Sequence, residues 1–278
     1  MKPGMRDFWL PIGGLVLLVV LGGGLARGLP DIKLLRFSDQ SSQPDLPSQL
    51  TFSSPDPEAP AVPAHDWLRD HGWEHVWPRM LFGKDLALTF NGPSSQRYLR
   101  LSANHAYAIW SHRLHIDPYQ QPILELTWAI EHFPDRAALD LHGRNDRAIA
   151  VVVSLGPEVR SGGLQPAVPR GLAFFWGETE TVGADYTCMR PRNEPQEGRL
   201  QCTYPHVKYI ALRSGGAGAV HTEHVNLLEL FQQHFPDYWQ EHQKVPPVVA
   251  VSFEAASDAT ESHSVARLYA LAFRVANE

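Results

Sequence analysis

A run of nineteen residues without a charge, Phe8 to Ala26 (FWLPIGGLVLLVVLGGGLA), splits this 278-residue chain into two unlike parts. As a helix it spans roughly 28 Å, about one hydrocarbon core. Two fates are open for residues 1–28. A signal anchor would keep the helix, and the unbroken apolar length favours that. A signal peptide would be cut after the small residues Gly24 and Ala26, and the glycines at 13, 14, 22, 23 and 24, which weaken a helix, keep cleavage open. Either way the membrane is a partner of this end. Lys2 and Arg6 precede the run and Arg27, Lys33 and Arg36 follow it, so the charge bias across it is small and does not settle orientation.

The cysteines decide the side. There are two, Cys188 and Cys202, and the thirteen residues between them (MRPRNEPQEGRLQ) read as a polar loop. A disulfide closing a ring of that size stabilises by about 3 kcal/mol. Two free thiols in a reducing compartment is the competing reading. Zinc is disfavoured because the gap matches no compact ligand knuckle. The disulfide implies an oxidising space. The expected location is therefore the cell membrane, single-pass, with the bulk of the chain periplasmic or extracellular, or secreted if the signal is cleaved.

Residues 29–64 form a linker. From 38 onward they are dense in Ser, Pro, Asp and Gln with few large apolar side chains, too little to offset the entropy of ordering. Their prolines stiffen the tether. The net charge of −6, with no cluster of Lys and Arg, argues against a nucleic-acid partner. Fourteen histidines make the surface charge sensitive to pH.

Residues 65–278 read as one domain. Leu124, Leu126, Trp128 and Ile130 alternate with Glu125 and Thr127, the pattern of a half-buried strand over 123–130. Residues 147–155 (RAIAVVVSL) are apolar on both faces and β-branched, as a central strand requires. Further strands are predicted over 171–176, 207–213, 248–254 and 265–275, with weaker ones over 86–90, 97–101 and 107–111. One helix stands out: Asn226 caps it, Glu229 completes a capping box, and Leu227, Leu230, Phe231, His234 and Phe235 form its apolar stripe up to Pro236. Eight or nine strands with one short helix predict an all-β fold, an antiparallel jelly-roll-like β-sandwich.

Several motifs fall into a fixed order: Gly72-Trp73-Glu74, Ile116-Asp117-Pro118, Pro122-Ile123-Leu124 leading to Trp128, and Asp140 and Asp146 before Ala150–Val153. Then come Trp176-Gly177, Val207-Lys208-Tyr209-Ile210 with Ser214-Gly215, Glu223 with Asn226, and Asp258 with Thr260. In this order the chain resembles, over about residues 70–274, the bacterial exported family known as domain of unknown function 3047. The resemblance implies a jelly-roll domain related in shape to carbohydrate-binding modules, with no established activity. The family tends to carry acidic residues where this chain has Leu230 and Ala256. A cation site built on those acids would be lost here.

Candidate chemistry concentrates in a few places. Asp140, His142, Arg144, Asp146 and Arg147 crowd the entry to the central strand, and Asp258 and Thr260 precede the last one. Acidic loops of this kind can take calcium through carboxylate oxygens, or their acids and arginines pair with one another and fix the loop. Trp176 ends an aromatic strand and could stack a sugar ring, although burial is the commoner fate of such a Trp; Trp239, in a polar stretch, is the better exposed candidate. Glu223 completes the set. His71-Gly72-Trp73-Glu74-His75 matches H-x-x-E-H, a zinc-peptidase string, but the mechanism needs an unbroken helix that Gly72 and Pro78 oppose. His112/His115 and His221/His224 lie three apart, which on a strand puts them on opposite faces. No nucleophile elbow, lone reactive cysteine or phosphate loop is present.

The expectation is an envelope domain that binds a ligand, a glycan foremost, through Asp140, Arg144, Asp146, Arg147, Trp176, Glu223, Asp258 and Thr260, with no cofactor other than a calcium ion. The alternatives are a hydrolase acting on envelope polysaccharide with some of the same carboxylates, and a structural partner of another membrane protein.

Overall fold

The computed structural model describes residues 49–51, 62–76, 85–93, 97–161, 167–191 and 202–276. The apolar segment Phe8–Ala26 and most of the linker lie outside the described residues, and among the described residues no helix is long and apolar enough to cross a membrane. The chain order is β1 (Gln49–Thr51), β2 (Val62–Pro63), α1 (His65–Asp70), β3 (Trp73–His75), β4 (Ala87–Asn91), β5 (Tyr98–Asn104), β6 (Tyr107–Ile116) and β7 (Ile123–His132). It continues through β8 (Arg147–Val159), β9 (Val168–Gly177), β10 (Val207–Ser214), β11 (His221–Asn226), α2 (Leu227–His234), α3 (Pro236–His242), β12 (Val248–Ala256) and β13 (His263–Arg274).

Two sheets face each other. The seven-stranded one runs β11-β7-β13-β5-β4-β2, with β1 on the stretch of β13 beyond the reach of β5. The six-stranded one runs β10-β9-β8-β12-β6-β3. Alternation drives the stacking. Leu124, Leu126 and Trp128 of β7 and Leu99 and Leu101 of β5 point inward from one sheet. Ile149, Val151 and Val153 of β8 and Val251 and Phe253 of β12 meet them from the other. The Trp128 and Trp176 rings, one from each sheet, lie 6.0 Å apart.

Among the described strands the pairing departs from the antiparallel expectation once. β10 runs parallel to β9, with Val207 opposite Gly171. A parallel neighbour needs a long return connection, and residues 178–206 supply it. The Cys188–Cys202 disulfide, with Cα atoms 4.5 Å apart, closes within that return.

The predicted helix is α2. Asn226 Oδ1 accepts the N–H groups of Leu228 (3.1 Å) and Glu229 (3.4 Å), and Leu227 and Phe231 are buried. Pro236 does more than end it. It opens α3, where its missing N–H costs nothing at a first helical position. Three helices are therefore described rather than one. Trp239 sits on α3, partly buried against the core, not in a polar loop. The short strands β1, β2 and β3 and the polar strand β11 (HTEHVN) carry too little apolar alternation to be read from sequence.

Candidate functional site

Asp146 stands just before β8 with its carboxylate buried. It accepts three hydrogen bonds from the β12–β13 turn: Ala259 N (3.2 Å), Thr260 N (2.7 Å) and Thr260 Oγ1 (2.6 Å). Asp258 shares this corner, and burial, followed by the Asp146 charge, pushes its carboxyl up. Thus three of the nominated residues do meet, but Asp146 and Thr260 are engaged with one another.

Arg147 and Glu254 form a second, buried knot on the outer face of the six-stranded sheet. The guanidinium reaches Glu254 Oε1 through Nε (2.7 Å) and Nη2 (2.6 Å), and Tyr209 donates its hydroxyl to the same oxygen at 2.9 Å. The guanidinium also lies over the rings of Tyr209 (5.2 Å) and Tyr107 (5.8 Å). Burial alone would lower the Arg147 pKa, but the Glu254 charge, the Tyr209 and Tyr107 hydroxyls and the hydrogen bond to Glu254 together outweigh it and the net shift is upward. Burial, then Glu254, pushes both tyrosines up. This arginine is locked as a cation.

Asp146, Arg147 and Trp176 line one shallow cleft together with Phe133, Gly177 and Glu180. The cleft has room for about one water at most. Glu180, itself buried, closes its floor by accepting Leu139 N (3.1 Å) and Thr179 N (3.1 Å). Gly177 is obligatory beside it, since a Cβ there would stand 2.2 Å from Glu180 Oε2.

The remaining nominated residues lie outside this cleft. Asp140 pairs with Arg190 at 2.6 Å, and backbone bonds Arg190 N to Asp140 O (2.6 Å) and His142 N to Arg190 O (2.9 Å) stitch its loop to the disulfide segment. Arg144 donates to Arg136 O at 2.6 Å. Glu223 takes the Nε–H of Arg213 and the indole N–H of Trp128 (3.3 Å). Trp176 is buried, donates to Gly215 O at 2.7 Å and has Arg213 over its ring at 5.6 Å. Its face is enclosed, so the sugar-stacking role considered for it is corrected: an indole at the inner end of β9 faces the opposing sheet. The eight residues do not converge in an open pocket. Among the described residues no group of three or more His, Cys, Asp or Glu is placed to hold a metal ion.

The H-x-x-E-H string is broken as its glycine implied. His71 caps α1 and donates its Nδ1–H to Trp67 O (2.7 Å), Gly72 takes φ +78°, and Glu74 and His75 lie on β3. His75 Nε2 instead approaches Asp85 at 3.5 Å, as His65 Nε2 does at 3.7 Å. His112 is buried under Gly72 and Trp73, and burial lowers its pKa, whereas His115 is exposed. His221 meets Trp176 and His224 meets Glu125, on opposite faces of β11.

The two outer sheet surfaces differ. Tyr186 and Leu139 pack over Phe175 on the six-stranded sheet. The seven-stranded sheet presents partly exposed polar and aromatic side chains from neighbouring strands. Arg100 of β5 and Arg267 of β13 are register partners and converge on Glu131 of β7, at 3.2 and 3.0 Å. Two residues along each of these strands, Tyr98 and Tyr269 set their rings 5.0 Å apart at 47°.

Comparison with known proteins adds a family. The sequence profile of the family described as "Protein of unknown function (DUF3047)" matches residues 77–271. The chain belongs to the DUF3047 family. No curated protein matches it. Among solved structures, this DUF3047 chain is similar to the X-ray crystal structure of Trichoderma harzianum endoglucanase 3 from family GH12, at 9% identity and a TM-score of 0.36, covering 73% of this chain and 91% of that one.

Two groups of residues in this DUF3047 domain escape sequence reasoning. Glu254 reads simply as the end of an apolar strand, and only an acid inside such a strand signals a buried partner. Arg100, Glu131 and Arg267 are ordinary outward positions of alternating strands. They become a cluster only once β5, β13 and β7 are neighbours.

Proposed function

We propose that this protein is a carbohydrate-binding module of the cell envelope, tethered at the outer side of the membrane by Phe8–Ala26 and the Pro/Ser-rich linker, and that the glycan lies across the outer face of the seven-stranded sheet. One observation carries the reading: the two outer faces are unlike, one packed under loop residues and the other offering a tyrosine pair and hydrogen-bonding side chains across adjacent strands. Tyrosines present apolar ring faces for sugar C–H groups and a hydroxyl for hydrogen bonding, at little entropic cost. The disulfide supports an oxidising location. The polar loops nominated from sequence serve this reading as the frame that fixes the sandwich.

The experiment is binding of the full chain, in detergent, to an array of envelope polysaccharides, followed by calorimetry on hits. Saturable binding that weakens in Tyr98→Ala and Tyr269→Ala is the expected result. A folded chain that binds no glycan would overturn it. Release of new reducing ends from a bound polysaccharide would favour the hydrolase reading instead, for which the raised carboxyl of Asp258 beside Asp146 is the motivating observation.

A further inference from the structure

The carbohydrate class can be narrowed, and the narrowing rests on the binding-module reading above. The chain as a whole carries a net charge of −6, which by itself would repel a polyanion. The outer face of the seven-stranded sheet reverses that sign locally. Among the described residues three arginines, Arg100, Arg267 and Arg274, stand there against two acids, Glu125 and Glu131. At its centre two guanidinium groups share a single carboxylate, Glu131, so one positive charge is left over.

The donors are also left over. Arg100 commits Nε (3.3 Å) and Nη2 (3.2 Å) to Glu131, and its Nη1 has no partner among the described residues. Arg267 sets Nε 3.0 Å from Glu131 as an ion pair without hydrogen-bond geometry and commits Nη1 to the hydroxyl of Tyr269 (3.1 Å), and its Nη2 has no partner among the described residues. Glu131 and Tyr269 therefore hold both forks in place while sparing outer N–H groups. A planar guanidinium held this way loses little freedom when it takes a carboxylate. The Tyr98–Tyr269 pair lies two residues along the same two strands, and Arg267 lies 5.5 Å over the Tyr98 ring. Charged donors and an aromatic surface thus abut on one face.

We propose that this face takes an acidic polysaccharide, with Arg100 and Arg267 binding the carboxylate of a uronic acid unit and Tyr98 and Tyr269 carrying the adjoining ring. A neutral glycan would use the tyrosines and leave the surplus charge unanswered. A sulfated polymer would use the charge and not the ring geometry.

The test is titration of the full chain in detergent with polygalacturonate, with a neutral glucan of similar length and with dextran sulfate. Arg100→Gln, Arg267→Gln and Tyr269→Ala are compared with the parent, with melting temperature as the check on folding. The proposal expects polygalacturonate to bind at least tenfold more tightly than the glucan, and each variant to weaken it on the order of tenfold. Because Glu131 keeps one arginine in either single variant, the fold should survive. If Arg267→Gln still lowers the melting temperature, Arg100→Lys, which keeps the charge and loses the fork, must show the same loss of uronate binding. Equal binding of glucan and polygalacturonate with the arginine variants unaffected overturns the acidic class and leaves the binding module standing. Equal binding of dextran sulfate and polygalacturonate, indifferent to Tyr269→Ala, overturns the proposal as plain polyanion attraction. Binding of none of the three by a folded chain overturns it as well, and only the wider polysaccharide array then decides whether the module reading falls with it.

Discussion

Thr260 holds the carboxylate of Asp146 twice, through its backbone N–H at 2.7 Å and its hydroxyl at 2.6 Å. The loop before the central strand β8 is thereby fastened to the turn before the last strand β13. Asp146→Ala strips three donors of a buried acceptor, Ala259 N among them. The expected loss is about 2–3 kcal/mol in urea unfolding, against about 1 kcal/mol for Thr260→Val, which removes the hydroxyl alone. Equal losses would show that the backbone bonds contribute nothing.

The Arg147–Glu254 pair is buried on both sides, so removing one partner strands the other charge. Glu254→Gln is expected to cost about 3–5 kcal/mol. The double variant Arg147→Met/Glu254→Leu is expected to cost markedly less, since no charge remains to be desolvated. Chemical denaturation of the three proteins checks the order. A double variant as unstable as the single one would contradict the account.

Gly177 has no room for a side chain while Glu180 keeps its place. Gly177→Ala is expected to lower stability by about 2 kcal/mol, because the carboxylate must leave Leu139 N and Thr179 N. In a Glu180→Gly background, which also removes the Glu180 Cβ that would stand 2.9 Å away, the same change should cost less than about 1 kcal/mol. A double-mutant cycle without coupling would place the strain elsewhere.

Asp185 has a carboxyl drawn down from 3.8 to about 2. Burial alone would raise it. The hydrogen bond from His234, those from the Thr187 hydroxyl and N–H (2.8 Å for the latter), and Lys208 at 4.0 Å outweigh burial. An acid whose folded value is depressed stabilises above its unfolded value and loses that contribution as pH falls through the folded one. Stability should therefore decline between about pH 4 and pH 2 by about 1 kcal/mol from this group, allowing for solvent screening of a carboxylate 34% exposed. Asp185→Asn should flatten that part of the acid profile measured by thermal unfolding. An unchanged slope would rule this group out as its source.

Reduction of the Cys188–Cys202 disulfide frees the return segment between the parallel strands β9 and β10. A loss of about 3 kcal/mol is expected for reduced protein relative to oxidised, from the entropy regained by the unfolded chain. Unfolding curves with and without a thiol reductant measure it, and coincident curves would refute it.

The sequence by itself determined the strands, the helix cap and the sandwich class, because each depends on neighbours within a few residues. A period of two in Leu124–Ile130 marks a buried face wherever that strand ends up, and Asn226 can cap only the turn that follows it. It also marked Cys188 and Cys202 as a pair. Short or polar strands such as β3 and β11 were silent because their pairing comes from the sheet and not from their own pattern. Only the tertiary structure decided what the charged residues do. Asp146 meets Thr260 across 114 positions and Arg147 meets Glu254 across 107, distances over which local pattern carries no information. Register and sheet stacking choose those partners. A carboxylate that reads as a ligand in one dimension becomes a brace once burial makes an unpaired charge too costly to leave, while Arg100 and Arg267, unremarked as letters, become neighbours on an open face.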